Sequence, residues 1–312
     1  MDWQTHRAHQ LSAPESEGLA QLIKEIAPGS RAIRVRRLGG GIATATHSVD
    51  LQARSGKVLG VVLKRYRKND ETAPLEWDRL TFAQSLPVPS PQPLALDASG
   101  EWFGTPALVM SRLPGRPNVA PKRLDPWLDQ IAMAMVMIQD APIRATPAAL
   151  KRPHTVDKWA PSTDLGRSEL VERAIVTIVK NLPEGLKAKR AIGHGDFHPG
   201  NLVWSRERLT GVVDWSSARI GPRAYEVAYC RADLTVLIGA DAAERFRRAY
   251  EQIWGQRLDD DLWVWDLMCA LGAIQWGHLW VVAYREQGRT DLTSRHVWPR
   301  AAALIRNALA QL

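Results

Sequence analysis

The feature that most constrains this fold is a single change of texture near Leu113-Pro114-Gly115. Before it, short β-branched runs alternate with turn residues; after it, long segments repeat apolar residues at helical spacing. A chain that switches once from a period of two to a helical period builds a sheet-rich part followed by a helical part, not an alternating βαβ series. Strands are predicted over Ile33–Leu38, Thr44–Leu51 and Val58–Tyr66, with two shorter ones near 94–97 and 106–112. Helices are predicted over 15–27, closed by Pro28-Gly29, and over 71–85, which Pro87, Pro89, Pro91 and Pro93 cannot extend. Beyond the change, helices are predicted over about 124–140, 167–182, 223–238, 241–255, 261–285 and 293–311, interrupted at 191–215 by a Gly/His/Asp-rich loop and two short strands. The expectation is an α+β, bilobal chain: a small β-rich N-terminal lobe over 1–112 and a larger, mainly helical C-terminal lobe over 113–312.

A length of 312 residues gives room for two such lobes. With 45% hydrophobic and 24% charged residues, the chain is not of the disordered class. The net charge of +8 lies in short clusters such as Arg34, Arg36 and Arg37, or Arg245, Arg247 and Arg248. These are spread along the chain and form no basic strip interleaved with aromatics, so they read as solvated surface and not as a nucleic-acid site. Cys230 and Cys269 have neither disulfide-framework nor metal-ligand spacing, and are expected as buried thiols in a reducing cytosol. The polar first ten residues lack an apolar signal core, so a cytoplasmic location is expected. Leu262–Tyr284 is long enough to cross a bilayer. It contains Asp266, Gln275 and His278, which are costly in hydrocarbon, so it is expected as a buried helix with no membrane partner.

The chemistry concentrates in Gly193-His194-Gly195-Asp196-Phe197-His198-Pro199-Gly200-Asn201, followed by Val212-Val213-Asp214-Trp215. Asp196 and Asn201 stand five apart on a loop that Pro199-Gly200 turns back on itself, and Asp214 ends an apolar strand aimed at the same place. Two oxygen ligands, Asn201 and Asp214, suit Mg²⁺, which keeps water and phosphate oxygens as its other ligands. Asp196 is then free to take a proton from a substrate hydroxyl, as in the phosphoryl-transfer arrangement H-x-D-x-x-x-x-N. His194 and His198 have no partner at zinc spacing and are assigned to loop architecture through ring hydrogen bonds.

The first lobe supplies matching parts. Gly39, Gly40 and Gly41 lie between two predicted strands, where bare backbone can approach a phosphate. Lys64 ends the strand Val61-Val62-Leu63-Lys64, the position of a lysine that contacts ATP phosphates. Glu76 and Asp78 both lie on the next helix, and either carboxylate can pair with it. Met110 to Leu113 can hinge the lobes and offer backbone hydrogen bonds to an adenine.

These motifs resemble the aminoglycoside phosphotransferase family, small-molecule kinases of the protein-kinase-like fold, from about Arg34 to Ile238 and more loosely to the end. The resemblance implies Asp196 as catalytic base, Asn201 and Asp214 as Mg²⁺ ligands, Lys64 on the ATP phosphates and Glu76 as its partner. It implies a hinge at Leu108-Val109-Met110, with ATP and Mg²⁺ as cofactors and a hydroxyl of a small molecule as acceptor: an aminoglycoside, a macrolide or other antibiotic, or a sugar or amino-alcohol metabolite. Glu226 stands where relatives often have an Asp, Ala43-Thr44 replaces Ser-Asn after the glycines, and Trp215-Ser216 replaces Phe-Gly. No activation segment follows, which separates the chain from protein kinases. A catalytically weak nucleotide-binding regulatory module of the same fold is the alternative.

Six of 13 Trp fall late in the chain: Trp254, Trp263, Trp265, Trp276, Trp280 and Trp298. They are either core or the flat walls of an acceptor pocket. Asp259, Asp260, Asp261 and Asp266 can hold a polycation, or the first three can serve as charges at a helix N-terminus.

Overall fold

A computed structural model of the chain describes residues 3–41, 43–143, 146–151, 168–185, 189–258 and 262–311. The N-terminal part is built on β1 (Arg31–Arg37), β2 (Ala45–Gln52), β3 (Val58–Arg65), β4 (Pro93–Asp97) and β5 (Ala107–Ser111). They form one antiparallel sheet in the order β1-β2-β3-β5-β4. The edges suit their residues: β1 carries Arg31, Arg34, Arg36 and Arg37, and β4 opens with a proline, both of which oppose pairing with a further strand. Alternation along the central strands sends Val49, Leu51, Val61, Leu63 and Val109 to one face, against Leu22 of α2 (Ser16–Ile26). Val62, Lys64 and Leu108 face the other way, toward the rest of the molecule. That alternation carries Lys64 off the outer core and onto the inner face.

Helix α3 (Thr72–Ala83) follows β3 and buries Ala73, Glu76, Arg79, Leu80 and Ala83, a stripe at helical spacing. After β5 comes a two-residue strand, β6 (Arg116–Pro117), then α4 (Leu124–Gln139) and α5 (Glu169–Gly185). Strands β7 (Arg190–Gly193), β8 (Leu202–Ser205), β9 (Arg208–Val212) and β10 (Arg219–Pro222) frame the loop that carries Asp196. β8 lies between β6 and β9, while β7 pairs with β10. Helices α6 (Arg223–Leu237), α7 (Ala240–Trp254), α8 (Leu262–Glu286) and α9 (Val297–Leu309) complete the chain, and α8 packs against α5, α6 and α9.

Most predicted elements stand within a few residues of their expected bounds; the differences have local causes. The expected helix over 293–311 divides at His296, where Thr293 and His296 form a reciprocal cap. A helix, α1 (Trp3–Leu11), occupies the polar N-terminal stretch, and its Arg7 reaches Glu286 at the far end of α8. The short β6, β7 and β10 have too few residues to show a period. The start of the predicted helix at 167 lies outside the described residues, as do Asp259, Asp260 and Asp261.

α8 is long and apolar enough to cross a membrane by composition, and half of its most apolar stretch is buried in the protein. Its Asp266 is 1% exposed and accepts two hydrogen bonds of 3.0 Å from Arg231 of α6, so its charge is matched inside the fold. Cys230 and Cys269 are buried free thiols. Trp265 is fully buried, Trp254 and Trp263 pack on the core, and Trp276 and Trp298 are half exposed.

Candidate active site

The loop after β7 needs glycine at two points. Gly195 has φ +78°, and a Cβ there would lie 2.1 Å from the Ser217 carbonyl oxygen. A Cβ on Gly193 would lie 2.2 Å from Glu226 Oε2. Glu226, buried on α6, accepts the Gly195 N–H at 2.9 and 3.2 Å and so braces the loop from beneath. Burial pushes its carboxyl up to about 7, although the Gly195 N–H and Arg219 oppose the rise. His194 takes the architectural role expected of it, its Nε2 bonding the Val213 carbonyl at 2.9 Å.

Asp196 is gripped on both carboxylate oxygens. Tyr229 donates its hydroxyl to Oδ1 at 2.7 Å, and Asn201 donates Nδ2 to Oδ2 at 3.1 Å and to the Asp196 carbonyl at 3.0 Å. His198 Nε2 stands 3.7 Å from Oδ2. Burial alone would raise this carboxyl, but the His198 imidazolium and the Tyr229 hydroxyl outweigh it and hold Asp196 well below the usual carboxylate range. The Pro199–Asn201 3-10 turn is the device that brings Asn201 round, with the Asn201 N–H donated to the His198 carbonyl at 3.0 Å.

Asp214 sits at φ 64°, a left-handed conformation uncommon for a residue with a side chain. Its Oδ1 accepts Lys64 Nζ at 3.0 Å and Ser216 Oγ at 2.7 Å. The same ammonium donates to both Glu76 oxygens at 2.7 Å, and Tyr66 donates its hydroxyl to Glu76. Burial disfavours the charge on Lys64, but Asp214 and Glu76 override it and keep the ammonium protonated. Of the two candidate acids on α3, Glu76 makes the pair, and Asp78 is exposed.

Two adjoining cavities, of about 410 and 390 Å³, share Gly40, Gly41, Lys64, Asn201, Asp214 and Gln287. One extends past Asp196 to Tyr229, Trp280 and Tyr284. The other runs between Gly39, Val62 and the Met110–Leu113 segment and is the more apolar. Met110 itself lies inside β5, paired with Val62, with its side chain buried at the edge of that second cavity. The glycine loop is clasped by the end of α8: Glu286 Oε2 accepts the Gly40 N–H and Arg37, each at 3.0 Å. Gln287 reaches across to the Gly200 carbonyl at 3.1 Å.

Among the described residues, no group of three or more His, Cys, Asp or Glu can hold a metal with protein ligands alone. Asn201 and Asp214 nevertheless fit Mg²⁺. Both offer hard oxygen donors, and neither Asn201 Oδ1 nor Asp214 Oδ2 accepts a hydrogen bond among the described residues.

Behind Asp196 stand Tyr229, Asp233 and Tyr284, which sequence reasoning missed, and Trp280, which it names as core or pocket wall. Tyr229 and Asp233 are four apart on α6, and Trp280 and Tyr284 four apart on α8, so each pair shares a helix face. Asp233 is 2% exposed, accepts from the Tyr284 hydroxyl and lies 3.9 Å from His198 Nδ1. Burial lifts Asp233 to about 6, while His198, despite its own burial, is lifted to about 9 by Asp196 and Asp233. A stripe of polar aromatic and acidic residues at helical spacing in otherwise apolar helices was the available signal. Of the late tryptophans, Trp280 alone lines either cavity.

A sequence model of the phosphotransferase enzyme family matches residues 34–294. The homoserine kinase of Brucella abortus (strain S19) is 26% identical over 197 residues, covering 58% of this chain and 57% of that enzyme. The probable acyl-CoA dehydrogenase IBR3 of Arabidopsis thaliana is 27% identical over 168 residues, 46% of this chain and 20% of that protein. The chain thus spans little more than half of one curated relative and a fifth of the other. The amicoumacin kinase hAmiN, solved with AMP-PNP, Ca²⁺ and Ami, shares the fold at a TM-score of 0.60 and 12% identity, covering 99% of this chain and 96% of that one.

Proposed function

The chain belongs to the phosphotransferase enzyme family, and from that premise we propose that it moves the γ-phosphate of ATP, with Mg²⁺, onto a hydroxyl of a small molecule. The observation that carries this is the convergence of Lys64, Asp196, Asn201 and Asp214 on one cavity. In this proposal residues 1–112 form the nucleotide-binding lobe and 113–312 the catalytic and acceptor-binding lobe. The glycine loop and Lys64 hold the phosphates, with Glu76 keeping the ammonium in place. The base of the nucleotide occupies the more apolar cavity beside Met110 and Leu113.

Asn201 and Asp214 hold the cation, which when bound neutralises charge on the phosphate oxygens. Asp196 accepts the proton of the acceptor hydroxyl and orients its oxygen. Its depressed basicity suits a loose transition state, in which little proton abstraction is needed and positioning does most of the work. Tyr229 and Asn201 fix the carboxylate for that task. The acceptor's body rests against Trp280 and Tyr284. The AMP-PNP in hAmiN supports a nucleoside triphosphate donor, and the relation to a homoserine kinase supports a small hydroxylated acceptor. The test is a screen for ADP formation over hydroxylated metabolites, aminoglycosides and macrolides. Acceptor-dependent ADP formation that disappears in Asp196→Ala supports the proposal; nucleotide binding without transfer to any acceptor opposes it.

A further inference from the structure

Arg67 is the one cationic side chain lining the first cavity without a partner among the described residues. Lys64 is bound by Glu76 and Asp214, and His198 by its neighbours Asp196 and Asp233. Arg67 Nε is buried and donates no hydrogen bond. A guanidinium on the wall of a cavity, with no ion pair among the described residues, can receive a planar or tetrahedral anion. Thr72 and Ser217, both hydroxyl-bearing, line the same cavity.

The acids there tell the complementary story. Asp196 accepts from Tyr229 and Asn201, Asp214 from Lys64 and Ser216, and Asp233 from Tyr284. Asp70 accepts the Thr72 N–H at 2.8 Å. Each of these carboxylates already has a partner in the protein, with Asp214 Oδ2 left to the cation, whereas Arg67 has none among the described residues and its charge suits an anion and opposes the amino groups of a polyamine. The remaining wall, Trp280, Ala283 and Tyr284, is a flat, largely uncharged surface.

Resting on the phosphotransferase reading, we propose that Arg67 holds an anionic group of the acceptor, a carboxylate or a phosphate. The acceptor is then a hydroxylated acid whose body lies on Trp280, not a polyamine.

The test uses the full chain loaded with Mg²⁺ and AMP-PNP, so that the nucleotide's own phosphates are already in place. Calorimetric titration compares small hydroxycarboxylates and sugar phosphates with their uncharged methyl-ester or dephosphorylated counterparts, and with kanamycin as a polyamine probe. At least one acid is expected to bind about tenfold or more tightly than its neutral counterpart. That preference is expected to vanish in Arg67→Ala and to survive in part in Arg67→Lys, with AMP-PNP affinity unchanged in both. Unchanged AMP-PNP affinity also shows that each variant is folded. The proposal is overturned if no acid is preferred, if kanamycin binds more tightly than every acid, or if the preference persists in Arg67→Ala. Equal weakening of AMP-PNP and acid in Arg67→Ala overturns it too, since that assigns Arg67 to the nucleotide. Failure of AMP-PNP to bind the wild type counts instead against the phosphotransferase reading.

Discussion

Asp196 has three groups fixing its carboxylate, from the loop, from α6 and from the 3-10 turn, so its geometry does not rest on a single neighbour. Asp196→Ala is expected to lower kcat by about 10²- to 10⁴-fold, the usual worth of a positioned proton acceptor, while Mg²⁺-ATP affinity stays near wild type. Steady-state kinetics with a nucleotide titration checks both halves. Glu226 makes a pH prediction. Its folded pKa lies near 7, above the ordinary 4.5, so the folded state keeps a proton that the unfolded chain releases between those values. Stability from this group is therefore present below about pH 4.5 and lost as pH rises through 7, an effect of order 3 kcal/mol. Glu226→Gln, which can still accept from Gly195, is expected to remove that decline, as read by urea unfolding at pH 5 and pH 8. Asp196, Asn201 and Asp214 were legible because their spacing is dictated by one tight loop and one strand end. Glu76 was legible in principle: it falls on the buried stripe of Ala73, Leu80 and Ala83, and Asp78 falls off it. Tyr229, Asp233 and Tyr284 were not singled out, because they are far from the loop in sequence and reach it only through helix packing.

At the scale of elements, α8 joins the helical lobe to the glycine loop. Its N-terminal half is locked to α6 by the buried Asp266–Arg231 pair, and its end clasps Gly40 through Glu286. Asp266→Ala removes both hydrogen bonds of that pair and leaves Arg231 with Glu244, at 3.3 Å, as its carboxylate partner, and is expected to cost about 1–3 kcal/mol, measured as a lower urea midpoint at constant slope. At Gly277 a Cβ would lie 2.6 Å from Val297 Cγ1. Gly277→Ala should therefore push α8 and α9 apart, at a cost of about 1–3 kcal/mol by the same measurement. The long helices and the β-branched strands were readable because each carries several periods of its own pattern. α1 was not, because its residues are polar and its place depends on distant contacts, Arg7 with Glu286 and Arg65 with Ser12.

For the whole molecule, what matters is that sheet and helices meet across one polar line, Glu76–Lys64–Asp214, with a cavity on each side. The change of texture near Leu113 announced two structural parts, but no local pattern could show that Lys64 and Asp214, 150 residues apart, touch. If Asp214 holds the cation, Mg²⁺ should strengthen ATP binding to the wild type and leave Asp214→Asn unaffected, by calorimetry with and without EDTA. The most direct test of phosphoryl transfer itself is phosphorus-31 NMR of the protein with Mg²⁺-ATP and pooled hydroxylated acceptors. The account predicts loss of the γ-phosphate resonance matched by a new phosphomonoester resonance, at a rate that falls at least about a hundredfold in Asp196→Asn. A phosphomonoester formed equally fast by Asp196→Asn, or none formed by a wild type that binds the nucleotide, would contradict it.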